Sequence, residues 1–508
     1  MNVAGSQPGL IYPHAYGGDS INMRYLDVYG LQNLVPTSKF WDGSVRPLST
    51  RPLTDGTQSA SAYDPNVRSP YIQSLTMALT RQIGSSLTVD VRYIGTLSRK
   101  QMGTINLNTN NWMNNGLKDA LLEARAGGNP ALLNTLAPPF TFWYGNTGAD
   151  QIRAHYLTQT PIAVGNFNEI ASVLGTSNGI IPGVPTGVQG ELIRRSGLGE
   201  NFVFSNRQFS SANMLGNLNN SNYHSLQGQV TLRPTHGLNF QATYTWSRSL
   251  GNRGNGTDPL DRAADYGILA QHRSHTLTTY GTYNLPLGPN GYLFRDSTGW
   301  VKKLAEGWQF SWTSSMSSGL PFSVSTSNSM WGGSGVDLVR PDLFDTKGGH
   351  VTWEPGARGG RFWGNMYTQV SDPQCDTVAA SLQSVCRQNL HALALASDPS
   401  VIVFQKAQPG VRGNFDPNSI TSQGRWGLDI AMSKNIEFME GKSLNFRVDV
   451  NNIFNHPTPS GTAPFTYDQR TYAAGAPISD LNNTTDPFGY IGYKVGHRVF
   501  SAKVRLTF

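Results

Sequence analysis

Apolar residues recur at every second position in nine segments of this chain, with polar residues between them. The clearest is "RVFSAKVRLTF" at 498–508, where Phe500, Ala502, Val504, Leu506 and Phe508 alternate with Ser501, Lys503, Arg505 and Thr507. A period of two places all five apolar side chains on one face of a strand. The same pattern runs through 71–82, 87–95, 223–233, 238–250, 275–286, 307–316, 425–436 and 443–454. In 443–454, Leu444, Phe446, Val448 and Val450 take one face, and Asn445, Arg447, Asp449 and Asn451 form a polar ladder on the other.

The connections between these segments carry as much information as the strands. Short turns join 71–82 to 87–95, 223–233 to 238–250, and 425–436 to 443–454. The stretches 98–222, 251–274, 325–424 and 455–496 are long, and the intermediate linker 287–306 falls where a short one is due. Short and long therefore alternate. Connections of that length are uncommon within compact soluble domains. Outer-membrane barrels have them as a rule, with short periplasmic turns and long extracellular loops. Aromatics near strand ends, among them Tyr93, Trp246, Trp308, Trp312, Trp426 and Phe508, match interfacial girdles.

The expected fold is thus all-β, an antiparallel transmembrane β-barrel over 71–508, with lipid outside and the ladder Asn445, Arg447, Asp449 and Asn451 facing the lumen. Nine strands that begin outside and end inside give an odd count, whereas single-chain bacterial barrels have even counts. Residues 1–70 accordingly read as a truncated extracellular loop region whose preceding strand is absent. A tenth strand near "INMRYLDVYGL" (21–31) is the alternative, although its alternation is poor. Within the first long connection, Leu117, Ala120, Leu121 and Ala124 follow a helical spacing and predict a helix packing on the barrel mouth.

Composition fits this picture. Charged residues make up 14% of the 508, against the ~25% of an average soluble domain, and there are 55 glycines. The net charge of +7 is spread along the chain with no basic run, so no nucleic-acid partner is expected. The chain has no stretch of ~20 apolar residues, which a spanning helix needs and a barrel does not. Its first residues, "MNVAGSQPGLIYPHAYGG", lack the charged and apolar regions of a signal peptide.

Candidate chemistry is sparse. His272 and His275 stand three apart, which on a strand turns them to opposite faces. Asp258, Asp261 and Asp265 cluster without EF-hand spacing, and "GGSG" at 332–335 follows no strand–helix context. The chain is read as a non-enzyme with no cofactor and no metal. Its two cysteines, Cys375 and Cys386, are too few for a disulfide scaffold and wrongly spaced for zinc. They are free thiols in a reducing compartment or a clipped loop in an oxidising one.

Several stretches closely resemble the C-terminal barrel of Oar-like TonB-dependent outer-membrane transporters. They include "DPNVRSPYIQSLTMALTRQIGSSLTVDVRYIG", "LNTNNWMNNGLKDALLEARAGGNPALL", "NSNYHSLQGQVTLRPTHGLNFQATYTWSRSLGN", "LAEGWQFSWTSSMSSGLPFSV" and "LNFRVDVNNIFNHPTP", collinear over most of 60–508. The resemblance implies an N-terminal carboxypeptidase-regulatory-like domain, a plug in the lumen, and a TonB box that contacts the energy-coupling complex. None of the three is recognisable here. It also implies a Cys-bearing loop in "CDTVAASLQSVCRQNLHALA", and with the outside assignment of 325–424 it predicts a Cys375–Cys386 bridge. Phe500, Ala502, Val504, Leu506 and Phe508 resemble the C-terminal signal by which barrels are recognised for insertion, making the barrel-assembly machinery an expected partner beside outer-membrane lipid. The expected function is uptake of an unidentified ligand by a TonB-dependent receptor barrel. A structural or adhesive surface protein on the same barrel is the alternative. A secreted all-β carbohydrate-binding module or hydrolase fits less well, since no paired-carboxylate site is visible.

Overall fold

The computed structural model describes residues 58–508 except 138–144, 177–189, 200, 206–208, 254–262, 290, 325–335, 345–350, 354–359, 365, 417, 440, 457, 461–489 and 492. The candidate strand at 21–31 lies outside the described residues.

Nine long strands follow one another. They are β1 (Tyr71–Ile83), β2 (Leu87–Asn106), β3 (Phe209–Thr235), β4 (Leu238–Asn252) and β5 (His275–Asn284). Next come β6 (Trp308–Ser317), β7 (Arg425–Met439), β8 (Lys442–Asn451) and β9 (Val499–Thr507). They form one antiparallel meander in which every strand pairs with its sequence neighbours. Among the described residues β1 and β9 are its edges and do not pair with each other. No described helix is long and apolar enough to cross a membrane.

Register turns the alternation into two faces. Met77, Tyr93, Leu226 and Trp246 stand in one row across β1–β4, and Ile430, Val450 and Phe500 in another across β7–β9. The opposite face carries rows such as Thr80, Asp90 and Gln229, or Ser433, Arg447 and Lys503. The turn between β3 and β4 consists of His236 (φ 49°) and Gly237 (φ 79°). Two successive positive φ values mark a type I′ turn, whose twist matches that of the strands it joins.

At the other end of the sheet the first ribbon outruns the expected strands. Register shifts between Ser98 and Gly103, with Lys100 at φ 55°, bulge β2 and carry β2 and β3 on to Asn106 and Phe209. The connection is therefore 107–208 rather than 98–222. Beside this extension, Gln58–Tyr63 pairs in parallel with Phe209–Leu215. Asn217 then holds the following segment, donating from Nδ2 to the carbonyls of Arg68 and Lys100.

The hydrophobic core lies outside the nine-stranded sheet, in the long connections. One cluster is built from 112–203 together with 375–390, and a second, rich in aromatics, from 324–420.

Candidate functional site

These two clusters form a two-lobed cap beyond the bulged end of the sheet, the part of the molecule best equipped to present a surface. The first lobe is helical: α1 (Leu117–Ala126), α2 (Ala131–Leu136), α3 (Gly148–Ala154), α4 (Gln159–Ala163), α5 (Phe167–Thr176) and α6 (Glu191–Arg195). Leu117, Ala120, Leu121 and Ala124 all point inward, as the spacing of α1 requires. Trp112 packs edge-to-face on Phe167, with ring centroids 5.8 Å apart. Thr147 caps α3 through a reciprocal pair of hydrogen bonds with Asp150.

The first connection does not complete this lobe alone. Helix α8 (Ala380–Asn389), numbered after α7 (Gly299–Ala305) in the 287–306 linker, inserts Leu382 and Cys386 from the third long connection. A Cys375–Cys386 disulfide ties α8 to the Pro373–Asp376 turn that precedes it. Both sulfurs are fully buried.

The second lobe is a four-stranded sheet of Val336–Leu338, Ile402–Lys406, His391–Leu395 and Tyr367–Ser371. Phe344 meets Phe404 edge-to-face at 4.4 Å and packs near Trp363, Tyr367 and Phe415. Tyr367 donates its hydroxyl to the Leu343 carbonyl at 3.0 Å.

A buried polar junction couples the lobes. Asp372, only 1% exposed, accepts the backbone N–H groups of Gln374 (2.9 Å) and Lys406 (3.0 Å). Gln374 donates to the Lys406 carbonyl, and the Lys406 ammonium reaches across to the Val164 carbonyl at 3.1 Å. Arg125 donates to the Ala163 carbonyl (3.1 Å) and to Gln374 Oε1 (3.4 Å). Burial pushes the Arg125 guanidinium down to about 10 against the pull of Asp372. Burial likewise raises the Asp372 carboxyl above the usual range, opposed by its two N–H donors and by Arg125 and Lys406. The junction is a fixed register between α1, α4 and the second lobe.

The second long connection joins in as well. Arg253 pairs with Asp416 at 2.6 Å, and Asn418 donates to the Ile268 carbonyl.

The polar ladder sits on the acid-bearing face of the sheet. Asn445, Arg447 and Asp449 stand opposite Arg505, Lys503 and Ser501, and Asn451 stands opposite Val499. Arg447 donates Nε to Asp449 at 2.7 Å, while the Lys503 ammonium lies 3.6 Å from the same carboxylate. Phe500, Ala502, Val504 and Leu506 lie on the other face of β9, with Phe508 just beyond its end.

The two histidines do not converge. His272 accepts the Ser249 N–H, whereas His275 lies 2.8 Å from the Tyr244 hydroxyl. Asp265 is buried, and its carbonyl accepts the Arg253 N–H. Asp258, Asp261 and 332–335 lie outside the described residues. No group of three potential metal ligands occurs among the described residues.

The cap's tertiary junction has little sequence signature. Its one legible sign is the pair "HALAL" and "VIVFQK", short strand-like runs inside the third connection.

A family model described as "Outer membrane beta barrel domain" matches residues 28–491. A search of curated proteins finds no match. Solved structures that share similarity include the outer membrane transporter YddB from Escherichia coli, with 8% identity, covering 89% of this chain and 34% of that one, at a TM-score of 0.34. Another is the FrpB iron transporter from Neisseria meningitidis, with 8% identity over 88% of this chain and 32% of that one, at a TM-score of 0.29. The copper transporter OprC shows 7% identity over 86% and 32%, at a TM-score of 0.27. The chain thus spans about a third of the length of these structures. By the extent of the family match, the chain belongs to the outer membrane β-barrel domain family and resides in the outer membrane.

Proposed function

We propose that this chain forms part of a TonB-dependent receptor barrel of the Oar-like type, which takes up an unidentified ligand and performs no enzymatic reaction. The observation that carries the reading is the asymmetry of the sheet: tight turns at one end and, at the other, a cap folded jointly by the long connections. A barrel that only anchors itself has no need of such a cap, whereas a receptor must hold a shaped surface over its lumen. Lipid cannot satisfy the open edges of β1 and β9, so strands outside the described sheet would pair with them to close the barrel. The ladder Asn445, Arg447, Asp449 and Asn451 then lines the lumen, and the Cys375–Cys386 bridge holds the cap in the oxidising exterior. Phe500 to Phe508 serves as the insertion signal read by the assembly machinery.

The test is binding of the full-length membrane-purified protein to the periplasmic part of the energy-coupling protein. Saturable binding supports uptake. Its absence would leave the adhesive reading on the same barrel.

A further inference from the structure

The apolar face of the sheet is sharply one-signed in charge. The nine strands contain four acidic residues, Asp90, Asp429, Glu437 and Asp449. Register puts all four on the opposite face, where they stand against Thr80, Thr313, Ser443 and Ser501. Bases on the apolar face lie towards its ends, never in the middle.

At the capped end five of these bases stand beside aromatic rings, whereas Arg99, opposite Tyr71, donates to the Ser221 carbonyl and to Asn222 Oδ1. The Lys100 ammonium lies 5.7 Å from the Tyr71 ring centroid, and the Arg498 guanidinium 5.5 Å from that of Phe500. His224 Nδ1 is 2.8 Å from the Tyr93 hydroxyl, and His275 Nδ1 is 2.8 Å from that of Tyr244. The His456 and Trp426 rings lie 4.4 Å apart. In each pair the base comes from a position nearer the cap than the ring. Arg248, two residues capward of Trp246 on the same face, is exposed and completes the row. These side chains come from both edges of the sheet and from strands between them.

The attitude of one ring is set by a close approach. The Tyr93 side chain folds over Gly95, where a Cβ would sit 3.0 Å from its hydroxyl, and this brings the hydroxyl to His224. A flat aromatic with a base above it suits a boundary where hydrocarbon gives way to headgroups. A leaflet of uncharged headgroups would not call for bases without any acid between them.

We propose that this belt is a docking surface for phosphorylated, anionic lipid headgroups of the outer leaflet. The rings are set at the acyl boundary, and Lys100, Arg248 and Arg498 reach to the phosphates above it. Annular lipid is then selected by charge along the rim beneath the cap. This inference requires only the membrane location and is independent of ligand uptake.

The test uses the full-length protein reconstituted in an equal mixture of phosphatidylglycerol and phosphatidylcholine, extracted gently, with retained lipid counted by mass spectrometry. The wild type should retain phosphatidylglycerol in several-fold excess, and each cation removed should cost up to about fivefold in retention. Lys100→Gln, Arg248→Gln and Arg498→Gln together should bring the ratio close to that of the mixture. Arg92→Gln, Arg447→Gln and Lys503→Gln, on the opposite face, should leave it unchanged. If the triple variant does not assemble, Arg248→Gln alone should still lower the ratio, because that side chain is exposed. An unselective wild type, or equal losses in the two sets of variants, would overturn the proposal. So would loss of selectivity on adding inorganic phosphate but not chloride of equal ionic strength, since the site would then recognise the free ion.

Discussion

The sheet and the cap use the same apolar residue types in opposite ways. On the sheet, Leu79 is 74% exposed and Val504 66%, whereas Leu121 and Leu133 in the cap are at 0%. The cap folds by removing apolar surface from water, as any soluble domain does. The sheet has no such core, and its apolar face is completed by lipid instead. Backbone hydrogen bonds hold the sheet together, while packing and one buried polar junction hold the cap.

The contrast should break first at that junction. Asp372→Ala leaves the buried N–H groups of Gln374 and Lys406 without their acceptor and should destabilise the cap by about 2–6 kcal/mol, at about 1–3 for each. Protease cleavage within 107–208 and 372–406 should then rise while the sheet stays intact. Leu121→Ala should cost the cap about 2–5 kcal/mol through the cavity it leaves, measured by denaturant unfolding. Leu79→Ala should change stability by no more than about 0.5 kcal/mol, because mobile acyl chains refill the space. Charge reverses that order. Val504→Arg places a cation in hydrocarbon and should cost about 2–4 kcal/mol of folding into a bilayer, while Ser501→Arg, beside Asp449, should be tolerated.

Smaller effects sharpen the cap side. Cys375→Ser with Cys386→Ser opens a short loop and should lower cap stability by about 2–3 kcal/mol, seen as a lower thermal midpoint without reductant. The smallest effect is one of pH. Because burial raises the Asp372 carboxyl, its favourable contribution is complete below the ordinary carboxylate range and is lost as pH rises through the raised value. Asp372→Asn should therefore flatten the fall in cap stability above about pH 4, as read by hydrogen exchange of the Lys406 amide.

Much of the sheet was legible in advance because a strand's two faces are written locally. Alternation at Leu444, Phe446, Val448 and Val450 places those side chains on one face whatever their partners, and the neighbouring registers follow from short turns. Helix α1 was legible for the same reason, since Leu117, Ala120, Leu121 and Ala124 share a face by spacing alone. The extension of β2 to Asn106 was not, because a bulge at Lys100 interrupts the alternation that marks a strand. The parallel strand Gln58–Tyr63 carries only Ala60 and Ala62 on its apolar face, too small to announce it, and backbone pairing defines it.

The sequence by itself determined which residues alternate, hence two faces, the antiparallel meander and the membrane as the medium completing one face. Tertiary structure alone decided that Arg125, Asp372 and Lys406, scattered over two connections, meet in one buried junction. It also decided that α8 and its disulfide complete a helical lobe begun some 260 residues earlier, a span visible in the numbering of Leu121 and Leu382. The physical reason is range. Periodicity records interactions between neighbours along the chain, whereas a buried polar junction depends on where distant segments come to rest.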